Sequence, residues 1–333
     1  MFRSFLAVLT VVLLIACEKE SAGPQYNFEV PAYFPAKHYN VPFNAKQFEL
    51  GRKLFYDPIL SENNTISCGS CHQQSAAFAH IDHRVSHGIN GLVGIRNAPP
   101  MFNLAWMPAF MWDGGINHIE TMPLAPITNP VEMDLPMADA VARLNGSAEY
   151  KALVKDAFGA NTITDYHLFK ALAMFMANIV SGNSRYDQYM QGKTSALNTD
   201  EIDGLNLFTD KCASCHTPPL FTDFSYRNNG LDSVFNDTGR NHITQQPGDM
   251  GKFKVPSLRN VVLSYPYMHN GRTKTLDDVL DHYSSGIKQS ATLDTSLQNG
   301  IPLSPSEKAK ILAFLNALTD EDFVNNPAYA EPD

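Results

Sequence analysis

The chain of 333 residues carries 34 acidic and 25 basic side chains, has a formal net charge of −9, and is 44% hydrophobic. This length is ample for two domains of ordinary size, each with its own core. The acidic balance lacks the basic surface that nucleic-acid binding requires, so we expect no nucleic-acid partner.

The N-terminal residues have the pattern of an export signal. A basic residue precedes a short apolar run that ends at Ala16 and is too short to span a bilayer comfortably. Residues 14–17, Leu-Ile-Ala-Cys, are similar to a bacterial lipoprotein box, in which Cys17 becomes the lipidated first residue. We expect a lipoprotein signal peptide at 1–16, a lipidated polar tether at 17–37, and a protein anchored on the periplasmic side of the cell envelope. The alternative is an ordinary signal peptide with an incidental cysteine.

Two stretches of the chain read Cys-x-x-Cys-His, the attachment pattern of a c-type haem. The cysteines form thioethers with the haem, and the histidine becomes an iron ligand. A redox dithiol or a zinc site is the alternative interpretation of one such motif. Only Cys17 is left over, so none of the five cysteines is expected to form a disulfide. The residues concerned are Cys68, Cys71, His72, Cys212, Cys215 and His216.

The 144 residues between the two motifs (216 − 72) predict two cytochrome c-like haem domains in tandem. We assign residues 38–195 to the first domain and 196–333 to the second. Both are expected to be mainly α with long loops, because strand signals are sparse.

Apolar residues at helical spacing predict the main helices. Two of them lead into the Cys-x-x-Cys-His motifs, and capping boxes predict two more, of which the first carries Tyr283 on its apolar face. The predicted helices cover residues 43–55, 165–179 and 201–208 and the segments that begin at Thr275 and Ser304.

Several further motifs give the chain a family resemblance over roughly residues 45–320. The chain resembles the bacterial di-haem cytochrome c peroxidase and MauG superfamily. The motifs appear in order with fitting spacing. They are His87-Gly88, Arg96-Asn97-Ala98-Pro99, Met111-Trp112-Asp113-Gly114-Gly115, Asn129-Pro130-Val131-Glu132-Met133, Phe253 to Asn260 and Tyr265 to Gly271.

The resemblance implies roles for individual residues. The haem on His72 is the catalytic one, and Glu132 is the acid–base residue that handles peroxide protons. Trp112 lies between the two haems and relays electrons. His87 is a releasable sixth ligand of the catalytic haem, with His80 and His83 on the same loop as competitors. For Glu132 the alternative is a solvated loop residue, for Trp112 a packed core aromatic, and for the histidines exposed loop positions.

A calcium ion between the haems is also implied, bound by Asn97 and by the carbonyls of Ser264 and Pro266. The alternative is that Asn97 only stabilises a turn of its loop.

The sixth ligand of the His216 haem separates the branches of the family. Peroxidases carry a methionine there, and MauG-type proteins a tyrosine. Tyr283 lies at the matching position, 14 residues beyond His269, and Met268 is the rival ligand. A phenolate stabilises ferric iron, so Tyr283 favours a lower potential than methionine would give. Tyr283 as a core residue is the remaining alternative.

The resemblance therefore implies an enzyme, a periplasmic di-haem cytochrome c peroxidase that reduces hydrogen peroxide to water. The expected donor is a small cytochrome c or cupredoxin, and homodimers are common in this family. The first alternative is a MauG-like di-haem oxidase that acts on a protein or organic substrate through high-valent haem. The second is a non-enzymatic di-haem electron carrier, which requires both haems to be stably six-coordinate.

Overall fold

The computed structural model describes Tyr26, Phe28 and residues 30–332. The expected signal peptide, the anchor at Cys17 and most of the tether lie outside the described residues and stay predictions. Within the described part of the chain, no helix is long and apolar enough to cross a membrane.

The described residues are mainly helical, as expected, and long loops join the helices. Only two strands occur among them, β1 (Tyr226–Arg227) and β2 (Phe253–Lys254), which pair antiparallel. The α-helices are α1 (Ala45–Tyr56), α2 (Cys68–Cys71), α3 (Leu124–Thr128), α4 (Met137–Gly146), α5 (Ala148–Phe158), α6 (Asp165–Ala177), α7 (Arg185–Met190), α8 (Thr199–Lys211), α9 (Asn241–Thr244), α10 (Leu276–Asp281), α11 (Pro305–Asn316) and α12 (Glu321–Val324).

The five predicted helices are present as α1, α6, α8, α10 and α11, with ends that differ by a few residues. Polar caps define where they begin. Asn44 accepts a hydrogen bond from the Gln47 amide before α1, and the predicted capping box of Ser304 and Glu307 opens α11. Asn198 and Glu201 form a further box before α8, which moves its start ahead of the predicted position.

Two helix pairs cross closely, α1 with α6 and α8 with α11. Each crossing has a glycine where the backbones meet. A Cβ atom at Gly51 would lie 1.9 Å from the Ala171 carbonyl oxygen, and one at Gly204 would lie 2.0 Å from that of Lys310. Since a real Cβ cannot come so near a backbone oxygen, the glycines let the helices approach and bury the aromatic residues beside them.

Most of the buried apolar residues belong to two clusters, one on each helix pair, and Phe323 and Tyr329 join the first of them. Phe48, Phe55 and Phe175 belong to the cluster around α1 and α6, whereas Phe208 and Phe314 belong to the cluster around α8 and α11. Each helix pair thus has its own aromatic core next to one Cys-x-x-Cys-His motif.

A stretch of backbone occurs twice in the molecule. Residues 97–116 and 254–273 have the same landmarks at a constant distance of 157 positions (254 − 97). The shared landmarks are positive φ angles at Asn103 and Asn260, at Met111 and Met268, and at Gly114 and Gly271. A one-turn 3₁₀ helix follows each asparagine, and the bond from the Phe110 amide to the Ile116 carbonyl has its counterpart between Tyr267 and Thr273, both at 2.7 Å.

The segment that carries Tyr283 differs from the prediction. Helix α10 ends at Asp281 and continues as a π-helical turn over His282–Gly286. Helical spacing therefore no longer predicts the direction of the Tyr283 side chain, and α10 itself buries only Leu280. A π turn adds one residue to the repeat and so redirects the side chains that follow, a geometry often found at functional sites.

Candidate functional site

The first motif is held by the short helix α2 and the turn after it. Ser67 and Ser70 form a capping box at the start of α2, which ends at Cys71. The His72 ring follows, and its Nδ1 lies 2.9 Å from the carbonyl oxygen of Phe78. Because a carbonyl only accepts, Nδ1 carries the proton and Nε2 is left as the free ring nitrogen.

The second motif repeats this arrangement after α8. The Nδ1 atom of His216 lies 3.2 Å from the Phe221 carbonyl oxygen and 3.1 Å from that of Pro256. Burial lowers the pKa of both His72 and His216, although the carbonyl hydrogen bonds oppose this. Both imidazoles are therefore neutral with Nε2 free, the form that binds a metal.

The thiols fit haem attachment better than the alternatives. Burial raises the pKa of Cys68 and of Cys212 to about 12, whereas a redox dithiol needs a lowered pKa. The four motif cysteines are free. Among the described residues, no group of three or more His, Cys, Asp and Glu side chains is arranged to hold a metal ion, which argues against zinc. Two thiols beside one neutral histidine fit a covalently bound haem.

Glu132 and the His87 loop meet beside the first motif. The Ile89 amide donates to the Glu132 carbonyl at 2.8 Å, and Cys71 Sγ lies 3.6 Å from the His87 carbonyl. A Cβ at Gly88 would lie 2.1 Å from the carbonyl oxygen of Val131, so only glycine allows this approach. Burial raises the pKa of Glu132, which suits a carboxyl group that exchanges protons.

The three loop histidines form one cluster and are not dispersed exposed residues. The rings of His80 and His83 stack with centroids 4.1 Å apart, and His87 meets His83 edge-on at 4.8 Å. His80 is buried, and its Nδ1 has no hydrogen-bond partner among the described residues. The sequence offered no reason to expect His80 to be the most enclosed of the three.

Trp112 lies where the two copies of the repeated backbone meet. Its indole N–H donates to the Asn97 carbonyl at 2.8 Å, and its own carbonyl accepts from the Lys254 amide at 2.8 Å. The related bond joins the Asn97 amide to the His269 carbonyl, also at 2.8 Å. Since the repeat relates Asn97 to Lys254 and Trp112 to His269, the two contacts are reciprocal.

Met268 and Tyr283, the rival ligands of the second iron, are both near Asn229. The Asn229 amide nitrogen lies 3.4 Å from Met268 Sδ. Burial raises the pKa of Tyr283, and a hydrogen bond with the Asn229 side chain opposes that rise. The His282 ring bonds the Asn229 carbonyl at 3.0 Å and so fixes this residue further.

The proposed calcium ligands are brought close in part. Asn97 is buried, and its Nδ2 donates to the carbonyls of His83 and Arg84 at 3.2 and 3.3 Å, so Oδ1 is the atom that could face a cation. Three residues after Pro266, the His269 carbonyl accepts a hydrogen bond from the Asn97 backbone amide, which brings the segment of Ser264 and Pro266 towards Asn97. An amide oxygen and two backbone carbonyls are the hard donors that calcium prefers.

The sequence interpretation missed Asn229 and Lys254. No motif marked Asn229, which lies 39 residues before Met268. Lys254 could have been found by aligning Asn97-Ala98-Pro99 with Lys254-Val255-Pro256, because an asparagine follows four positions after the proline in both.

Comparisons with known proteins find a family model, several relatives and solved structures that are similar to this chain. A family model for di-haem cytochrome c peroxidase matches residues 45–195. The methylamine utilization protein MauG of Methylorubrum extorquens is 35% identical over 317 residues, which cover 92% of this chain and 87% of that protein. The cytochrome c551 peroxidase of Nitrosomonas europaea is 33% identical over 286 residues, or 84% of this chain and 82% of that one. A solved structure of a MauG-like protein associated with microbial copper homeostasis has a TM-score of 0.85 at 33% identity, covering 92% of this chain and 99% of that chain.

Proposed function

Because this chain belongs to the di-haem cytochrome c peroxidase and MauG family, we propose that it is a peroxidase that reduces hydrogen peroxide to water. One peroxide, two electrons and two protons give two waters. The family implies two c-type haems, which supply an iron that can bind a peroxide oxygen and pass single electrons. A small cytochrome c or cupredoxin is the proposed electron donor.

The half-buried Glu132, whose carboxyl pKa is raised, is the observation that carries this proposal. Its backbone is fixed to the His87 loop, and that loop contacts Cys71. In this position the carboxylate takes a proton from one peroxide oxygen and returns it to the other, which helps the O–O bond to break. An electron carrier has no need for a half-buried proton-exchanging group beside the cofactor.

The two halves have different roles in this proposal. Residues 38–195 form the catalytic haem domain and residues 196–333 the electron-transfer domain. The aromatic cluster on each helix pair and the repeated backbone support the division, and Phe323 and Tyr329 of the second segment pack into the first cluster across it. Trp112 relays electrons between the halves, and its two hydrogen bonds to different copies of the repeat support this role.

The ligands of the two irons follow from the same reasoning. His72 and His216 each supply Nε2. His87 is proposed as the releasable ligand of the first iron. Tyr283 is proposed over Met268 for the second, because it lies 14 residues beyond His269 and because the Met268 sulfur already accepts from the Asn229 amide at 3.4 Å.

We also propose one calcium ion bound by Asn97 and the carbonyls of Ser264 and Pro266. Further proposals concern the whole protein. They are export, lipid anchoring at Cys17 on the periplasmic side of the envelope, and a homodimer.

Peroxide turnover tests the proposed function. Holoprotein carrying both haems is mixed with hydrogen peroxide and a reduced small cytochrome c or cupredoxin, once fully oxidised and once after half-reduction. We expect oxidation of two donor equivalents per peroxide in at least the half-reduced form. No turnover in either form, with both haems intact, overturns the proposal.

A MauG-like oxidase is the second candidate, favoured by the position of Tyr283, 14 residues beyond His269. Peroxide would then oxidise a protein or organic substrate in place of the small redox donor. Adding peroxide to the fully oxidised protein distinguishes the two. A long-lived spectral change that decays only with an added organic substrate supports the oxidase, and prompt bleaching contradicts it.

A further inference from the structure

Lys254 holds its ammonium group inside the junction between the two copies of the repeated backbone. Nζ donates to the Ala109 carbonyl at 2.7 Å and lies 4.0 Å from Met107 Sδ. An ammonium group has three protons to donate, so one carbonyl leaves it incompletely satisfied.

No carboxylate neutralises this cation. The nearby Asp113 is bound to Arg96 at 2.6 Å, and none of the ion pairs within the described part of the chain includes Lys254. Burial lowers the pKa of Lys254 to about 8 while Asp113 opposes that change, so the amine stays protonated at neutral pH. A half-buried charge without a carboxylate partner is costly, which calls for a role.

The repeated backbone relates this lysine to the proposed calcium site. Lys254 corresponds to Asn97, whose side-chain amide is proposed to bind calcium. Ala109, whose carbonyl accepts from the Lys254 ammonium, corresponds to Pro266, whose carbonyl is proposed to bind calcium. At the constant distance of 157 positions, the related pairs are Asn97 with Lys254, Pro266 with Ala109, and Ser264 with Met107.

We propose that the Lys254 ammonium is a tethered cation at the position related by the repeat to the calcium site. It occupies the carbonyl of Ala109, excludes a second calcium ion and keeps a fixed positive charge on the residue whose backbone amide donates to the Trp112 carbonyl. The calcium half of this inference rests on the proposed function, whereas the lysine contacts do not.

The fixed charge acts on the His216 haem in this proposal. Lys254 precedes Pro256 by two residues, and the Pro256 carbonyl lies 3.1 Å from His216 Nδ1. A positive charge near an iron favours its reduced form, because that form carries one positive charge less. Lys254 is thus a positioning residue for charge and does not contact the reacting atoms.

Calcium content tests the exclusion of a second ion. We expect one tightly bound calcium ion per holoprotein chain in the wild type and in Lys254→Met. We expect two in Lys254→Asn, because this variant introduces at position 254 the same side-chain amide as that of Asn97. A single calcium in Lys254→Asn, with both haems attached, overturns the exclusion.

Redox titration tests the charge independently of calcium. Lys254→Met is expected to lower the midpoint potential of the His216 haem, while Lys254→Arg keeps it close to the wild-type value. Equal potentials in all three proteins overturn the tethered-cation role, as does a shift confined to the His72 haem. Wild-type protein without calcium would refute the proposed calcium site alone, because the potentials still decide the role of Lys254. If Lys254→Met fails to take up haem, the comparison of Lys254→Asn with Lys254→Arg gives the same decision.

Discussion

Glu132 differs from an ordinary surface glutamate in how its backbone is held. Gly88 lets the backbone of the His87 loop pack directly against the backbone of Val131 and Glu132. Burial raises the pKa of the Glu132 carboxyl group. The sequence predicted the chemical role from the resemblance. It could not predict the close backbone contact between Gly88 and Val131, because these residues lie 43 positions apart (131 − 88) and meet only in the folded chain.

His87 is expected to determine the resting ligation of the first iron. In His87→Ala, the low-spin signal of the His72 haem in the oxidised protein should be replaced by a high-spin signal, since the sixth ligand is gone. Electron paramagnetic resonance measures this change. His83→Ala is the matched control, because His83 shares the cluster and should leave the signal unaltered. An unchanged spectrum in His87→Ala would refute the ligand role.

Tyr283 and Met268 make opposite predictions for the second iron. If the tyrosine binds, Tyr283→Phe should change the spectrum of the oxidised His216 haem and raise its potential, since a phenolate stabilises ferric iron. Met268→Leu should then leave both nearly unchanged. Spectroelectrochemical titration of the two variants decides between them. The reverse pattern would assign the ligand to Met268.

At the scale of the elements, the close helix crossings depend on glycine. In Gly204→Ala the new Cβ would meet the Lys310 carbonyl, which belongs to the backbone of α11 and cannot rotate away. We expect a loss of about 1–3 kcal/mol in the free energy of unfolding, despite alanine's better helix propensity. Urea unfolding of the holoprotein measures it.

Gly146→Ala provides the control for that experiment. Gly146 ends α4, and a Cβ atom added there would have no neighbouring atom within 4 Å. The free energy of unfolding of Gly146→Ala should equal that of the wild type or be slightly higher, because alanine restricts the conformations of the unfolded chain. Equal losses in Gly204→Ala and Gly146→Ala would show that the crossing contact is unimportant.

Long periodic helices were the elements that the sequence predicted best. Helix α6 begins at the predicted Asp165, directly after a capping box of Thr164 and His167, and eight of its thirteen residues are buried. The π turn at Tyr283 could not be predicted, because periodicity assumes a constant number of residues per turn. The repeated backbone could not be recognised from the sequence either, because no single spacing relates all the features of the two halves. Its copies are 157 positions apart, whereas the haem-binding histidines are 144 apart and the crossing glycines 153 apart (204 − 51).

At the scale of the whole molecule, one buried ion pair joins distant segments. Arg259 donates two hydrogen bonds to Asp187 at 2.8 and 2.7 Å, and both side chains are fully buried. Tyr33 also donates to Asp187, and the Arg259 guanidinium lies 4.7 Å from the Phe34 ring centroid. The N-terminal segment, α7 and the loop that contains Arg259 are therefore tied at a single point.

Removing the carboxylate should destabilise the fold. Asp187→Asn leaves the buried guanidinium without a counter-charge, which we expect to cost about 3–5 kcal/mol at neutral pH. Urea unfolding followed by circular dichroism measures this loss. Asp203→Asn, which removes a surface partner of Lys310, is the control and should change little.

The loss in Asp187→Asn should also depend on pH. Burial alone would raise the pKa of Asp187, but the Arg259 hydrogen bonds outweigh it and the pKa is lowered. A lowered pKa stabilises the folded state fully above the unfolded value, about 3.9, and this stabilisation is lost as the pH falls through the folded value. The difference between wild type and Asp187→Asn should therefore shrink below about pH 4. A difference that grows on acidification would contradict the assigned direction.

The central claim is that peroxide is reduced at the His72 haem with Glu132 as its proton-exchanging group. The most direct measurement is the steady-state rate of peroxide turnover in half-reduced holoprotein for the wild type, Glu132→Gln and the exposed control Glu62→Gln. We predict that Glu132→Gln loses about 10²–10⁴-fold in rate with both haems retained, while Glu62→Gln matches the wild type. Wild-type turnover in Glu132→Gln would contradict the account.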